Sequence, residues 1–196
     1  MTTQKRRDFL KTAATATAGL STGLWAQRMA VAQDTKAKAR VAAIGVGGSR
    51  GRYNRGGGIA RNAAKFGDMI AVCDVDDRHT AEFNKGFGDK LGMYRDYREM
   101  LDKEKPEVVT IGTPDHWHVP IAIAALRAGA DVYCEKPLTL TIDEGKQICK
   151  VAKETGRVFQ VGTQQRSENG AKFLKAVAMV KSGRLGGNVN AHVAIG

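Results

Sequence analysis

The sequence predicts an α/β fold built as a doubly wound parallel sheet, and three observations carry that reading. Short apolar runs recur at 41–44, 69–73, 108–111, 131–134 and 158–161, and none of them alternates with polar residues. Strands that are apolar throughout are buried on both faces, as in a parallel sheet covered by helices. The intervals between the runs carry helical periodicity, which fits right-handed crossovers. Finally, the unusual residues collect at the carboxyl ends of the runs: Gly45, Asp74, Gly112 with Thr113 and Pro114, Glu135 to Pro137, and 162–166. In open α/β sheets ligands bind in the crevice at those ends.

Taken in order, the first strand at 41–44 ends in a glycine cluster. The triplet Gly56, Gly57 and Gly58 is expected to delay the next helix, which the pattern places around 59–66. The second strand ends at Asp74, and helices follow at 78–91 and 95–103. After the third strand comes a helix over 120–128, with Gly129 as its stop signal. Thr141 and Glu144 have the S/T-x-x-E spacing of a capping box, opening a helix expected to set Ile142, Ile148, Cys149 and Ala152 on one face. The fifth strand at 158–161, a helix over 168–181 and a final strand over 188–195 complete the pattern. No internal repeat is present.

Gly45, Gly47, Gly48, Ser49, Arg50 and Gly51 directly follow the first strand. A Rossmann-type turn needs glycine there because the turn is tight, the backbone must approach a pyrophosphate, and helix and strand pack closely. The helix that follows offers free N–H groups to phosphate. The spacing is G-x-G-x-x-x-G, one residue longer than the usual fingerprint, and a merely flexible glycine loop is the alternative. Asp74 ends the second strand, where an acid accepts hydrogen bonds from a ribose diol and repels a 2′-phosphate, favouring NAD; the nearby Arg78 keeps NADP open. The alternative for Asp74 is a helix cap. Thr113, Pro114 and His118 stand after the third run, in a loop expected to line the cofactor. Asp115, His116 and His118 do not make a metal site, since histidines two apart do not share a helix face and no third strong ligand is evident. Glu135, Lys136 and Pro137 end the fourth run. A lysine in a partly desolvated pocket there can act as acid or base; the alternative is a surface turn.

Together these segments, with 94–101 (YRDYREML) and 162–167 (GTQQRS), resemble the glucose–fructose oxidoreductase/inositol dehydrogenase (Gfo/Idh/MocA) family from about Val41 onward. The resemblance implies hydride transfer between a nicotinamide cofactor and a hydroxyl-bearing carbon of a sugar or cyclitol. Lys136 corresponds to the family's active-site lysine, Glu135 to a residue beside the nicotinamide ribose, and Thr113, Pro114 and His118 to positions lining the cofactor. Pro137 corresponds to a proline that is often cis and would fix the direction of Lys136. Gln164, Gln165 and Arg166 correspond to a substrate-pocket loop. The resemblance further implies a second, α+β domain carrying most substrate contacts, of which only the start, 166–196, is expected here. Under that reading residues 40–165 form the dinucleotide-binding domain of a truncated oxidoreductase that turns over only when full length, a form open to homo-oligomers; the alternative is a dinucleotide-binding module without catalysis.

The N-terminus has the layout of an export signal. Arg6 and Arg7 precede Asp8, Phe9, Leu10 and Lys11, which matches the twin-arginine motif R-R-x-F-L-K. A weakly apolar stretch and the A-x-A site at 30–32 follow, then a linker over 33–39. The expected location is periplasmic or otherwise extracytoplasmic, with no stable membrane anchor. Residues 1–32 hold Lys5, Arg6, Arg7, Lys11 and Arg28 against Asp8, so their removal lowers the net charge from +11 to +7. The basic residues are scattered without interleaved aromatics, which argues against nucleic acid as a partner. Three cysteines without short spacing form neither a disulfide framework nor a zinc pattern; Cys73 and Cys134 read as buried small hydrophobes.

Overall fold

A computed structural model of the chain describes residues 37–48, 54–164, 170–187, 190 and 192. The chain divides into Met1–Lys38 and Ala39–Gly196, and the fold described is that of the second unit. The export signal, all of the last expected strand but Asn190 and His192, and the loop residues Ser49, Arg50, Gly51, Gln165 and Arg166 lie outside the described residues.

Six parallel strands form one sheet: β1 (Ala39–Ile44), β2 (Gly67–Cys73), β3 (Gly92–Tyr94), β4 (Val108–Ile111), β5 (Asp131–Glu135) and β6 (Phe159–Gly162). Their order is β3-β2-β1-β4-β5-β6, so the direction of winding reverses between β1 and β4. That reversal opens the crevice in which such sheets bind ligands. The connecting helices are α1 (Arg55–Ala63), α2 (Asp77–Lys85), α3 (Tyr97–Glu104), α4 (His118–Arg127), α5 (Ile142–Thr155) and α6 (Lys172–Lys181).

The pleat divides each strand between two cores. Ala42 and Ile44 of β1, with Val109, Ile111, Val132 and Cys134, pack under α3, α4 and α5. Ala43 and Val72 face the other way, against Ala60 of α1 and Phe83 of α2. Fully burying a side chain such as Phe83, Met100 or Leu126 contributes roughly 2 kcal/mol. On this second face, beyond β1, the apolar Ile59 and Phe66 border a groove with Val108, Thr110 and Tyr133. Among the described residues no helix is long and apolar enough to cross a membrane.

Several elements depart from the sequence reading. Strand β3 is an addition: three residues on the sheet edge, too short to register as an apolar run. The helix expected over 78–91 stops at Lys85, where Gly86 and Gly88 follow. Helix α1 starts at Arg55 rather than after the glycine triplet. Asn54 caps it, accepting from Gly57 N at 2.7 Å, so Gly56 to Gly58 form its first turn instead of delaying it. The capping box at α5 forms as expected, with Glu144 N donating to Thr141 Oγ1 at 3.2 Å and Thr141 N to Glu144 Oε2 at 3.0 Å. Its inner face, however, is Ile148 and Val151, while Ile142 and Cys149 are exposed. Ile142 and Cys149 are two turns apart on one line, and Ile148 sits about 100° round from Cys149.

Candidate functional site

The crevice at the winding reversal is walled by backbone. Gly45 N donates to Cys73 O at 2.8 Å and Gly112 N to Ile44 O at 2.9 Å, so the ends of β2, β1 and β4 are bonded edge to edge. Gly45 has φ +76°, in the left-handed region. A Cβ at Gly56 would stand 1.8 Å from Gly45 O, and one at Gly112 would stand 2.3 Å from the Gly56 Cα. Helix α1 therefore touches the glycine turn at a contact that only glycine permits, which is the helix-packing role of a third fingerprint glycine. The sequence reading asked for such a glycine within 45–51; among the described residues the contact is made by Gly56. The signal that could have found it was Asn54 as a cap three residues before Gly57.

A cleft of about 430 Å³ opens beside this turn. Gly45, Gly47, Gly48, Asp74, Thr113 and Pro114, all expected cofactor positions, border it. Asp74 is not the cap of α2; that is Asp76, whose carboxylate accepts from Arg78 N at 2.9 Å. Instead Asp74 Oδ2 accepts from Val46 N and Gly47 N, both at 3.0 Å, and ties the glycine turn to the end of β2. Its Oδ1 accepts from Asp76 N at 3.1 Å and faces His79 Nδ1 at 3.2 Å. Arg78, the residue that kept a 2′-phosphate open, is turned onto Asp76 with contacts of 3.0 and 2.6 Å. His79 also borders the cleft. Nothing in the sequence nominated it, since a histidine in the first turn of a helix reads as surface. Behind this wall Cys73 is buried, and burial first, then the charges of Asp74 and Asp96, push its thiol up to about 12.

A second group of expected residues lies at the ends of β4, β5 and β6, outside the cleft. His118 is buried, with Nδ1 2.6 Å from Pro137 O and Nε2 2.9 Å from Thr113 O. It was expected to line the cofactor; its two ring nitrogens face backbone carbonyls, one in the loop after β4 and one in the loop after β5, so the ring bridges the two loops. Glu135 is buried as well. Its Oε1 accepts from Gln164 Nε2 and lies 3.4 Å from Arg55 Nε. A Cβ at Gly162 would stand 2.8 Å from Glu135 Oε2, so glycine makes room for that carboxylate. Burial, and then the neighbouring Glu135 charge, push the Cys134 thiol up to about 12. The peptide between Lys136 and Pro137 is cis. Lys136 itself is exposed. The partly desolvated pocket expected around it is not formed by the described residues, because β5 ends at Glu135 and nothing described covers the turn beyond it.

Two buried polar atoms, Thr113 Oγ1 and Glu135 Oε2, have no hydrogen-bond partner among the described residues. Leaving such a group unpaired costs about 1–3 kcal/mol, and unpaired groups of this kind call for an explanation. One lies in each group of site residues.

Comparison with known proteins agrees with this architecture. The profile of an oxidoreductase family with an NAD-binding Rossmann fold (Gfo/Idh/MocA) matches residues 39–163. The inositol 2-dehydrogenase of Salmonella typhimurium is 32% identical over 127 residues, which cover 64% of this chain and 37% of that protein. The crystal structure of myo-inositol 2-dehydrogenase from Lactobacillus plantarum superposes with a TM-score of 0.63 at 27% identity, over 76% of this chain and 42% of that one. The WlbA dehydrogenase of Chromobacterium violaceum, solved in complex with NADH and UDP-GlcNAcA, gives a TM-score of 0.65 at 25% identity, over 78% and 42% of the two chains. The chain thus spans about two fifths of the length of these relatives. With its glycine-walled crevice at the sheet's winding reversal and a profile match across all six strands, the chain belongs to the Gfo/Idh/MocA oxidoreductase family and contains that family's NAD-binding Rossmann domain.

Proposed function

We propose that this chain is the NAD(P)-binding portion of an exported oxidoreductase that transfers a hydride between a nicotinamide cofactor and a hydroxyl of a sugar or cyclitol. The observation that carries the reading is the crevice itself. Gly45, Gly56 and Gly112 pack backbone against backbone with no room for a Cβ, which fixes the turn on the cleft wall. Thr113 Oγ1 is a buried polar atom on its wall without a partner among the described residues, a group that a bound ligand would satisfy. Gly47 and Gly48 would face the pyrophosphate, and Asp74 the adenosine ribose. Glu135, held by Arg55 and Gln164, would stand at the nicotinamide ribose.

A nicotinamide held there supplies or accepts the hydride. The chain's own part is to move the accompanying proton, and Lys136, at the end of β5, is the residue we assign to it; His118 positions its turn through Pro137 O. The sugar or cyclitol class rests on the relatives, several of which are inositol or sugar dehydrogenases by name. Export rests on the Arg6–Arg7 motif and the A-x-A site alone.

The test is a fluorescence titration of the chain with NADH and NADPH, beside Lys136→Ala. Saturable binding that survives Lys136→Ala, with turnover of a cyclitol or sugar lost in the assembled enzyme, supports both assignments. Folded protein that binds neither nucleotide overturns the cofactor reading. Equal loss of binding and turnover removes Lys136 from proton transfer.

A further inference from the structure

The acceptor capacity of Asp74 is already spent on its own chain. A carboxylate offers about four lone-pair sites. Val46 N and Gly47 N occupy Oδ2, and Asp76 N and His79 Nδ1 occupy Oδ1, all at 3.0–3.2 Å. Three of these partners are backbone amides that hold the glycine turn and the entry to α2. Only His79 is a side chain able to exchange with a ligand. Its ring also lies flat against the turn: a Cβ at Gly47 would stand 1.9 Å from His79 Nδ1 and 2.3 Å from Cε1. Gly47 is thus bare on the side that His79 occupies, and both border the cleft.

The charges around this end of the cleft are otherwise matched among the described residues. On α2, Arg78 pairs with Asp76 at 2.6 Å, and Glu82, one turn on, pairs with Lys85 at 3.2 Å. From the β3–α3 side, Arg95 pairs with Asp77 at 3.2 Å and also donates to Val75 O at 3.2 Å, while Arg98 pairs with Asp96 at 3.3 Å. The described part of the glycine turn, residues 45–48, carries no charged side chain. What is left is Asp74 with His79. With a neutral ring this end carries one negative charge; with a protonated ring it carries none and gains an N–H donor. Histidine is the side chain whose charge ordinarily changes between pH 5 and 8.

We propose that His79 is the residue that sets discrimination between a dinucleotide with a free adenosine ribose and one carrying a 2′-phosphate. The neutral ring yields Asp74 to the ribose hydroxyls, and the negative charge repels a phosphate. The protonated ring cancels that charge and donates to the phosphate. The inference rests on the dinucleotide reading above.

The experiment measures affinities of the full chain for NAD⁺ and NADP⁺ from pH 5.5 to 8.5, through quenching of the cleft residue Trp117. His79→Gln, which keeps an N–H for Asp74 but cannot titrate, and His79→Lys, which holds the charge on, are measured in parallel. The 2′-phosphate itself titrates near pH 6, so the readout is the difference between each variant's profile and that of the parent. The expected result is a parent NADP⁺/NAD⁺ affinity ratio that rises about tenfold toward acid relative to His79→Gln, the scale of one charge-assisted hydrogen bond, with His79→Lys fixed at the acid value. Binding of both nucleotides with the same pH dependence of the ratio in parent and variants overturns the role of His79 and leaves the dinucleotide reading standing. Should the variants not fold, a parent ratio that follows the phosphate ionisation alone overturns it equally. Binding of neither nucleotide by folded parent chain overturns both.

Discussion

Substitution of Gly56 by alanine tests the cradle directly. The added Cβ would stand 1.8 Å from Gly45 O, 2.9 Å from Gly45 C and 3.1 Å from Gly112 O. All three are backbone atoms of β-strand ends bonded to their neighbours, so none can rotate aside. Helix α1 must move outward by more than 1 Å, or the turn must open. Overpacking of this kind costs about 1–3 kcal/mol, and a clash with backbone on both sides belongs at the upper end. Alanine recovers nearly 1 kcal/mol of helix propensity, so the net loss is roughly 2 kcal/mol. Gly58→Ala is the internal control. It sits in the same first turn, a Cβ there meets nothing within 4 Å, and the change should stabilise by about 0.5–1 kcal/mol. Urea unfolding of the two variants should therefore differ by about 3 kcal/mol, with Gly56→Ala also losing NADH affinity in titration because the turn is displaced. Equal midpoints for the two variants, or unchanged NADH affinity in Gly56→Ala, would refute the argument that α1 and the glycine turn meet at a contact only glycine permits.

Asp74→Ser should shift preference toward NADP⁺ by about tenfold while lowering stability by about 1–3 kcal/mol, since Val46 N and Gly47 N lose a shared carboxylate oxygen; paired titrations and urea unfolding check both. At pH 8 a thiol reagent should modify Cys149 rapidly and reach Cys73 and Cys134 only after unfolding, because burial keeps those two as neutral thiols with values pushed up to about 12; fast labelling of all three would contradict the packing. Asp76 is held below its ordinary value of 3.8, mainly by its hydrogen bonds with the Arg78 side chain and backbone. Its charge therefore stabilises the fold fully above about pH 4 and ceases to do so as pH falls through the lowered folded value. Thermal melts should show the chain more stable than Asp76→Asn by a constant margin from pH 7 to 5, with the margin shrinking below pH 4.

The sheet was legible because each long strand is mainly apolar without strict alternation and ends in a glycine, an acid or another loop-forming residue. Strand β3 was not, since three residues at an edge, with Met93 turned to solvent, carry no pattern. The glycine triplet misled for a physical reason. Propensity counts glycine against a helix, but contact with the sheet requires it at Gly56, and the Asn54 cap restores the first turn. Site residues were legible where backbone geometry dictates the residue type, as at Gly45 and Asp74. Arg55 was not, because Glu135, which it meets, stands far along the chain at the end of β5; nor was His79, although Asp74 precedes it by only five residues.

The two groups of site residues differ in what holds them. The cradle is fixed by backbone hydrogen bonds among β1, β2 and β4 and by a glycine contact with α1, so it is formed before any ligand arrives. Preorganisation of that kind lowers the ordering cost of binding. The end near Lys136 is fixed by side chains instead: His118 joins Thr113 O to Pro137 O, and Arg55 and Gln164 hold Glu135. His118 reaches both loops, one on the cleft wall and one at the lysine turn. Its loss should therefore leave the cradle intact while freeing the turn that aims Lys136. A chain built this way should tolerate changes at the lysine end with its nucleotide affinity kept, whereas a single methyl group at Gly56 should disturb the cradle itself.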